Sequence, residues 1–291
     1  MTRLCQPPLP PGRRPSFPVP PGACDCHTHV FGPYARFPLA EDRSYTMPET
    51  LVEDHAAHLD ALGFARGVVV TASVQGTDNS NLLDALRRFP DRLRGIAVLG
   101  AEATDRQIDE LHAAGTRGVR LNLAGSMRNG VGLEVLPKLA PRLRERGWHL
   151  QVWIHVDRLA EALPHLEPHG MALVVDHMGK PPPGEAALRH PGFRLLCDLL
   201  REERAWVKIS GADRVDEGVA PWPGADAPAR ALLAANPARC VWGSDWPHVA
   251  YYPPRPVPED AALADRLAAW LPDEALRRRV LVDNPAQLYG F

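Results

Sequence analysis

Short runs of apolar, β-branched residues recur along this chain. Between them, apolar positions fall three or four residues apart. The first pattern fits strands buried on both faces, the second helices with one face on a core. Strands are expected over residues 23–30 (ACDCHTHV), 67–73 (GVVVTAS), 94–99 (RGIAVL), 117–123 (RGVRLNL), 149–156 (HLQVWIHV), 172–177 (ALVVDH), 206–210 (WVKIS) and 240–245 (CVWGSD). Helices are expected over roughly 48–62, 79–89, 105–114, 133–146, 158–167, 188–203 and 227–235. Two more are expected near 259–269 and 273–282, followed by a short tail to Phe291. Thr104 and Gln107 have the spacing of a capping box, and Gly115 can take the left-handed stop. Eight strands alternating with helices predict an α/β fold, a distorted TIM (β/α)₈ barrel formed as one domain by residues 23–291. An open doubly wound sheet is the runner-up, weakened because no G-x-G-x-x-G follows the first strand.

Residues 1–22 lack this patterning and are rich in proline. They are expected to form an extended arm laid on the barrel or on a partner subunit. The 291 residues, 45% of them hydrophobic, suffice for one large core. With 33 basic and 35 acidic residues and no long like-charge run, neither nucleic acid nor an anionic membrane is an expected partner. No apolar run reaches membrane-spanning length, and no apolar segment follows Arg13 and Arg14 as a leader would require. Five unevenly spaced cysteines do not form a disulfide framework, so a reducing cytoplasm is the expected compartment. Cys24 and Cys26 are expected to pack outward from the barrel.

In such a barrel the chemistry sits at the C-terminal ends of the strands. Those ends carry His27 and His29, Ser73, Arg120 and Asn122, His155, His177, Ser210 with Arg214 just beyond, and Asp245. Each interrupts an apolar run, and a buried polar group needs a partner or a task. Side chains two apart on a strand share a face, so His27 and His29 can meet one cation or one substrate oxygen; they can also be two satisfied core histidines. Asp245 can serve as metal ligand, as general base, or as a turn cap before Pro247. His248 can reach a substrate from the loop. Asp176 is expected either to face the helices or to buttress the residues around it. Arg120 suits a carboxylate through its planar fork, or pairs internally with Asp25 or Asp245. His55, His58, His112, His165, His169 and His190 are expected to be solvated or capping, and His149 to lie at the opposite end of the barrel.

The ordered set DCHTHVFGP, GTDN (76–79), RGVRLNL, VVDHMGKP, GSDWPH and NPAQLYGF resembles the amidohydrolase-2 group of the amidohydrolase superfamily, and within it the 2-pyrone-4,6-dicarboxylate lactonases. The resemblance runs from about Ala23 to Phe291. It implies a distorted TIM barrel that hydrolyses a lactone, with a small carboxylated lactone as partner and a homo-oligomer as a possible assembly. By position it implies His27, His29 and His177 as active-site histidines and Asp245 as general base. It implies substrate contacts from Tyr45, Ser73, Arg120, Arg214 and His248. Asn122, Gln75 and Trp153 join that set from their places beside it. Three departures bear on the substrate. The chain has Gln75 where the lactonases have a histidine and Trp153 where they have a tyrosine. Ser126 stands where a second carboxylate-binding arginine is expected, with Arg128 close by.

The resemblance leaves cofactor use open. The favoured expectation is that none is required. The alternative is one divalent ion, Zn²⁺, held by His27, His29, His155, His177 and Asp245. Two other functions compete: a metal-dependent, non-oxidative decarboxylase of an aromatic or muconic acid, and a non-catalytic barrel that binds a small acid.

Overall fold

A computed structural model describes residues 2–125 and 130–291. Ser126 and Arg128, singled out above, lie outside the described residues. Eight parallel strands form one sheet in sequential order. They are β1 (Cys24–Thr28), β2 (Arg66–Val70), β3 (Leu93–Ala97), β4 (Thr116–Asn122), β5 (His149–Trp153), β6 (Leu173–Val175), β7 (Ala205–Lys208) and β8 (Cys240–Val241). The sheet curls nearly closed: past β8 the chain stays extended against β1. There Cys26 N donates to Trp242 O at 2.8 Å and Asp245 N to His27 O at 2.9 Å.

Every expected strand is present, and most stop two to four residues short of the apolar run that marked them. The residues beyond are turns, including the single-turn segments Ser73–Gln75 and His177–Gly179. This places Ser73, His177, Ser210 and Asp245 on the rim, where backbone groups no longer pair within the ladder. The expected helix at 48–62 begins only at Val52, and that at 188–203 is split into Ala186–Arg189 and Pro191–Arg201. Pro191 has no N–H to continue a helix but suits the first position of the next one. Thr104 and Gln107 do cap the helix Asp105–Ala114, and Gly115 ends it with φ +112°. The tail is not loose. Asn284–Tyr289 is helical, and Tyr289 is buried against the barrel floor.

Alternate strand residues divide into two clusters. Val69, Val119, Leu121, Val152, Val175 and Val207 pack on the helices. Val68, Val70, Ile96, Val174, Trp206 and Val241 fill the interior with Tyr289. Cys24 and Cys26 belong to the interior set, which corrects the outward placement expected for them. The cause is a bulge in β1: Asp25 pairs with Gly67 and Thr28 with Val69, three steps against two. The extra residue breaks strict alternation, so Cys26 and His27 both turn away from the helices.

The N-terminal arm lies on its own barrel. Cys5 N donates to Thr46 O, Gln6 N to Tyr251 O, and Phe17 is buried in the main core. None of the described helices is long and apolar enough to cross a membrane.

Candidate active site

The site grows from the seam between β1 and the segment after β8. Gly243 allows the two backbones to approach: a Cβ there would stand 2.5 Å from His27 N. Two residues on, Asp245 takes φ +65°, and across the barrel His177 takes φ +50°. Left-handed backbone at non-glycine residues costs about 1–3 kcal/mol each and persists only where surroundings dictate it. Here the dictated result is convergence. Asp245 Oδ1 lies 3.7 Å from His27 Nε2, 3.5 Å from His29 Nε2 and 3.7 Å from His177 Nε2. The rings of His27 and His177 are 4.5 Å apart, those of His27 and His29 5.1 Å. All four side chains are buried.

Each imidazole is oriented by its other nitrogen. His29 Nδ1 is 2.7 Å from Val70 O, so it donates there, which fixes the ring with Nε2 toward Asp245. His177 Nδ1 meets Ser210 Oγ at 2.9 Å, and a hydroxyl can serve either tautomer. His27 Nδ1 is contested. Lys208 Nζ and Asp176 Oδ1 both lie 3.2 Å from it. If Lys208 donates, the proton of a neutral His27 sits on Nε2; if Asp176 accepts, Nε2 is left as a bare lone pair. Burial, ahead of the Lys208 charge, holds His27 well below the ordinary imidazole pKa, and burial lowers His177 to about 4. Both are therefore neutral near pH 7.

Beneath His27 lies a second, fully enclosed cluster. Lys208 Nζ donates to Cys26 O at 2.9 Å and to Gln151 Oε1 at 2.7 Å, and it stands 3.5 Å from Asp176 Oδ1. Asp176 Oδ2 accepts from Gln151 Nε2 and from Arg120 Nε, each at 3.1 Å. Asp176 thus buttresses the site, the second of its two expected placements. Burial would raise its pKa, but His27, Lys208 and Arg120 hold it well below the carboxylate range. Asp245 behaves alike: burial opposes ionisation, and Arg214 followed by His177 overcomes it. Arg214 donates from Nε to Asp245 Oδ2 at 2.5 Å and from a terminal nitrogen to Val249 O at 3.2 Å.

These groups floor a small pocket lined by His29, Tyr45, Ser73, Arg120, Asn122, Trp153, His177, Arg214, Asp245 and Val249. Both arginines are tethered through Nε to a buried carboxylate and are partly exposed at the pocket. Of the residues expected in the site, four do not line it. His27 is fully buried behind the lining. Gln75 spends its amide on Ala72 N and Val30 O. His248 points away, its Nε2 2.9 Å from Asp260 Oδ1. His155 is half-buried beyond Trp153 with the ring centroids 5.6 Å apart, outside the imidazole cluster.

Sequence reasoning missed Lys208 and Gln151, although each interrupts an apolar strand as the recognised residues do. It also misplaced His55 and His58, which are fully buried rather than solvated. Their helix turns that face inward because Asp25 and Asp260 wait there for His58.

Among the described residues, His27, His177 and Asp245 each offer a ligand atom within 4.8 Å of the other two. His27 Nε2 has no hydrogen-bond partner. Neutral imidazoles with one carboxylate suit a borderline divalent ion such as zinc, so the donor set fits a single metal. His155 does not take part.

The family model described as Amidohydrolase matches residues 24–291. A 4-sulfomuconolactone hydrolase of Rhizobium radiobacter is 37% identical, covering 94% of this chain and 92% of its own. A protein of Comamonas testosteroni named 2-pyrone-4,6-dicarbaxylate hydrolase is 33% identical over 95% of this chain and 92% of its own. Among solved structures, one described as a probable 2-pyrone-4,6-dicarboxylic acid hydrolase of Acinetobacter baumannii, with citric acid bound, superposes with TM-score 0.77. It is 28% identical and covers 93% of this chain and 100% of its own.

Proposed function

The chain belongs to the amidohydrolase family, and from that premise we propose that it hydrolyses a small acidic lactone. One observation carries the reading: a single pocket joins the ionised Asp245 and the neutral His177 imidazole to two tethered arginines, Arg120 and Arg214. The arginines suit a carboxylate or sulfonate, and the relatives described above are named for lactones that carry such groups.

In the proposed reaction, water sits against Asp245 Oδ1 and His29 Nε2. Asp245 accepts a proton as the water oxygen bonds to the lactone carbonyl carbon. His177, with His27 behind it, donates toward the developing oxyanion. The ring C–O bond then breaks, and Asp245 returns its proton to the leaving ring oxygen. Arg120 and Arg214 hold the acid substituent, which removes orientational freedom before the chemistry begins. Tyr45, Ser73, Asn122 and Trp153 shape the rest of the pocket.

We keep hydrolysis without a required metal as the first reading. Lys208 and Arg214 already place fixed positive charge on His27 and Asp245. A zinc ion held by His27, His177 and Asp245, joined by His29, would supply Lewis-acid polarisation of the carbonyl when bound. That donor cluster also favours the second reading, a metal-dependent decarboxylase. The deciding experiment offers muconate, pyrone and sugar lactones to the purified protein and follows proton release, with metal analysis of the same sample. Ring opening of an acidic lactone is the expected result. Carbon dioxide release from an unsaturated acid, abolished by chelator, would replace it with the second reading. Acid binding without turnover would leave a binding barrel.

A further inference from the structure

Behind the pocket runs a buried chain of polar groups that the proposed reaction does not use. Asp25 Oδ1 accepts from the backbone N–H of Ser244 at 3.0 Å and of His27 at 3.2 Å. One carboxylate oxygen therefore clamps the two sides of the barrel seam, one residue from Asp245 and at His27 itself. Asp25 Oδ2 lies 3.4 Å from His58 Nε2, and so does Ser244 Oγ, which in turn accepts from Trp246 N at 3.0 Å. The other ring nitrogen of His58 is 3.5 Å from Asp260 Oδ2, and Asp260 Oδ1 meets His248 Nε2 at 2.9 Å. His248 N donates to Asp245 O at 2.9 Å. The segment 244–248 is thus held at both ends, and His58 joins the two holds.

That segment needs holding. Asp245 and His248 both adopt left-handed φ, +65° and +66°, without being glycine. A ring that donates from both nitrogens serves two carboxylates at once, and only the imidazolium does this. Its surroundings favour that form. His58 faces Asp25 from β1, Ser244 from the loop, Asp260 from the helix Asp260–Trp270, and the neutral His55 on its own helix, while His248 meets the other oxygen of Asp260. Arg13 and Glu259 line the small cavity at its outer side. Trp246 stacks on the ring at 5.3 Å between centroids.

We infer that His58 is a positioning residue for this reaction, tying Asp25 to Asp260 so that the 244–248 segment presents Asp245 to the pocket. The inference rests on the proposed reading only for its substrate. His58→Gln keeps at most one of the two donor contacts, and Asp260→Asn weakens the far hold while leaving His58 in place. Both are expected to lower kcat on the lactone at least tenfold with KM changed less than threefold, since the pocket arginines are untouched. His55→Leu, equally buried on the same helix but joined to no carboxylate, serves as the packing control and is expected to retain wild-type kcat. Backbone hydrogen exchange needs no substrate and stays readable if the lactone assignment fails. The His27 and Ser244 amides should exchange at least tenfold faster in His58→Gln and unchanged in His55→Leu. Wild-type kcat and exchange in both His58→Gln and Asp260→Asn would overturn the inference. So would losses that only parallel those of His55→Leu.

Discussion

The barrel holds two buried carboxylates on opposite sides of His27, each bonded to an arginine Nε, yet their situations differ. Asp176 is sealed. Lys208, Gln151, Arg120 and His27 surround it, and nothing of it reaches solvent. Asp245 has one oxygen taken by Arg214, while the other has only imidazole nitrogens at 3.5–3.7 Å and opens on the pocket. A carboxylate saturated by fixed cations is a structural charge, since neither proton nor ligand can reach it. One left with a weakly engaged, accessible oxygen can take a proton from water. The same residue type thus serves as foundation on one side and as reagent on the other.

Asp245→Asn tests the reagent side most severely. Turnover should fall by about 10²–10⁴, the usual loss for a general base, while binding of an acidic product measured by calorimetry persists. Full activity would end the base assignment. On the foundation side, Lys208→Met leaves Asp176 and His27 without their main cation. Stranding one member of a buried ion pair costs about 3–5 kcal/mol, so a large drop in the denaturation midpoint is expected. An unchanged midpoint would show that Asp176 is not sealed as described. Arg214→Lys and Arg120→Lys separate the two arginines. Each loses the planar fork, and KM for an acidic lactone should rise roughly tenfold, about 1.4 kcal/mol, with a neutral lactone of similar size unaffected.

The smallest effect concerns pH. Burial would lower the pKa of His58, but Asp260 and Asp25 raise it from 6.5 to about 9. A raised folded-state pKa means that the stabilisation is fully present below pH 6.5 and is lost as pH climbs through about 9. The urea midpoint should decline over that window in the wild type and stay flatter in His58→Gln. An equal decline in both would assign the loss to other groups.

Alternation of apolar runs with helical periods was enough to specify eight strands in order. Polar residues at the ends of those runs located His27, His29, Arg120, His177 and Asp245. Both signals are local: they depend on which side chains a strand can bury and where its ladder stops. The residues misread were those whose meaning depends on distant partners. Nothing in GVRLNL or VVDHMGKP says that Arg120 pairs with Asp176 rather than with Asp25 or Asp245. His58 looks like an ordinary surface type until the fold surrounds it with carboxylates, and Lys208, though it interrupts an apolar strand, names no partner. The bulge in β1, which turned Cys26 inward beside His27, arises from pairing with β2 and leaves no trace in composition. Sequence determined the barrel and the rim that bears its polar groups, because burial and backbone periodicity act over a few residues. Only the closed tertiary structure decided which charges are sealed and which face the pocket, because electrostatic partnership depends on distance in space.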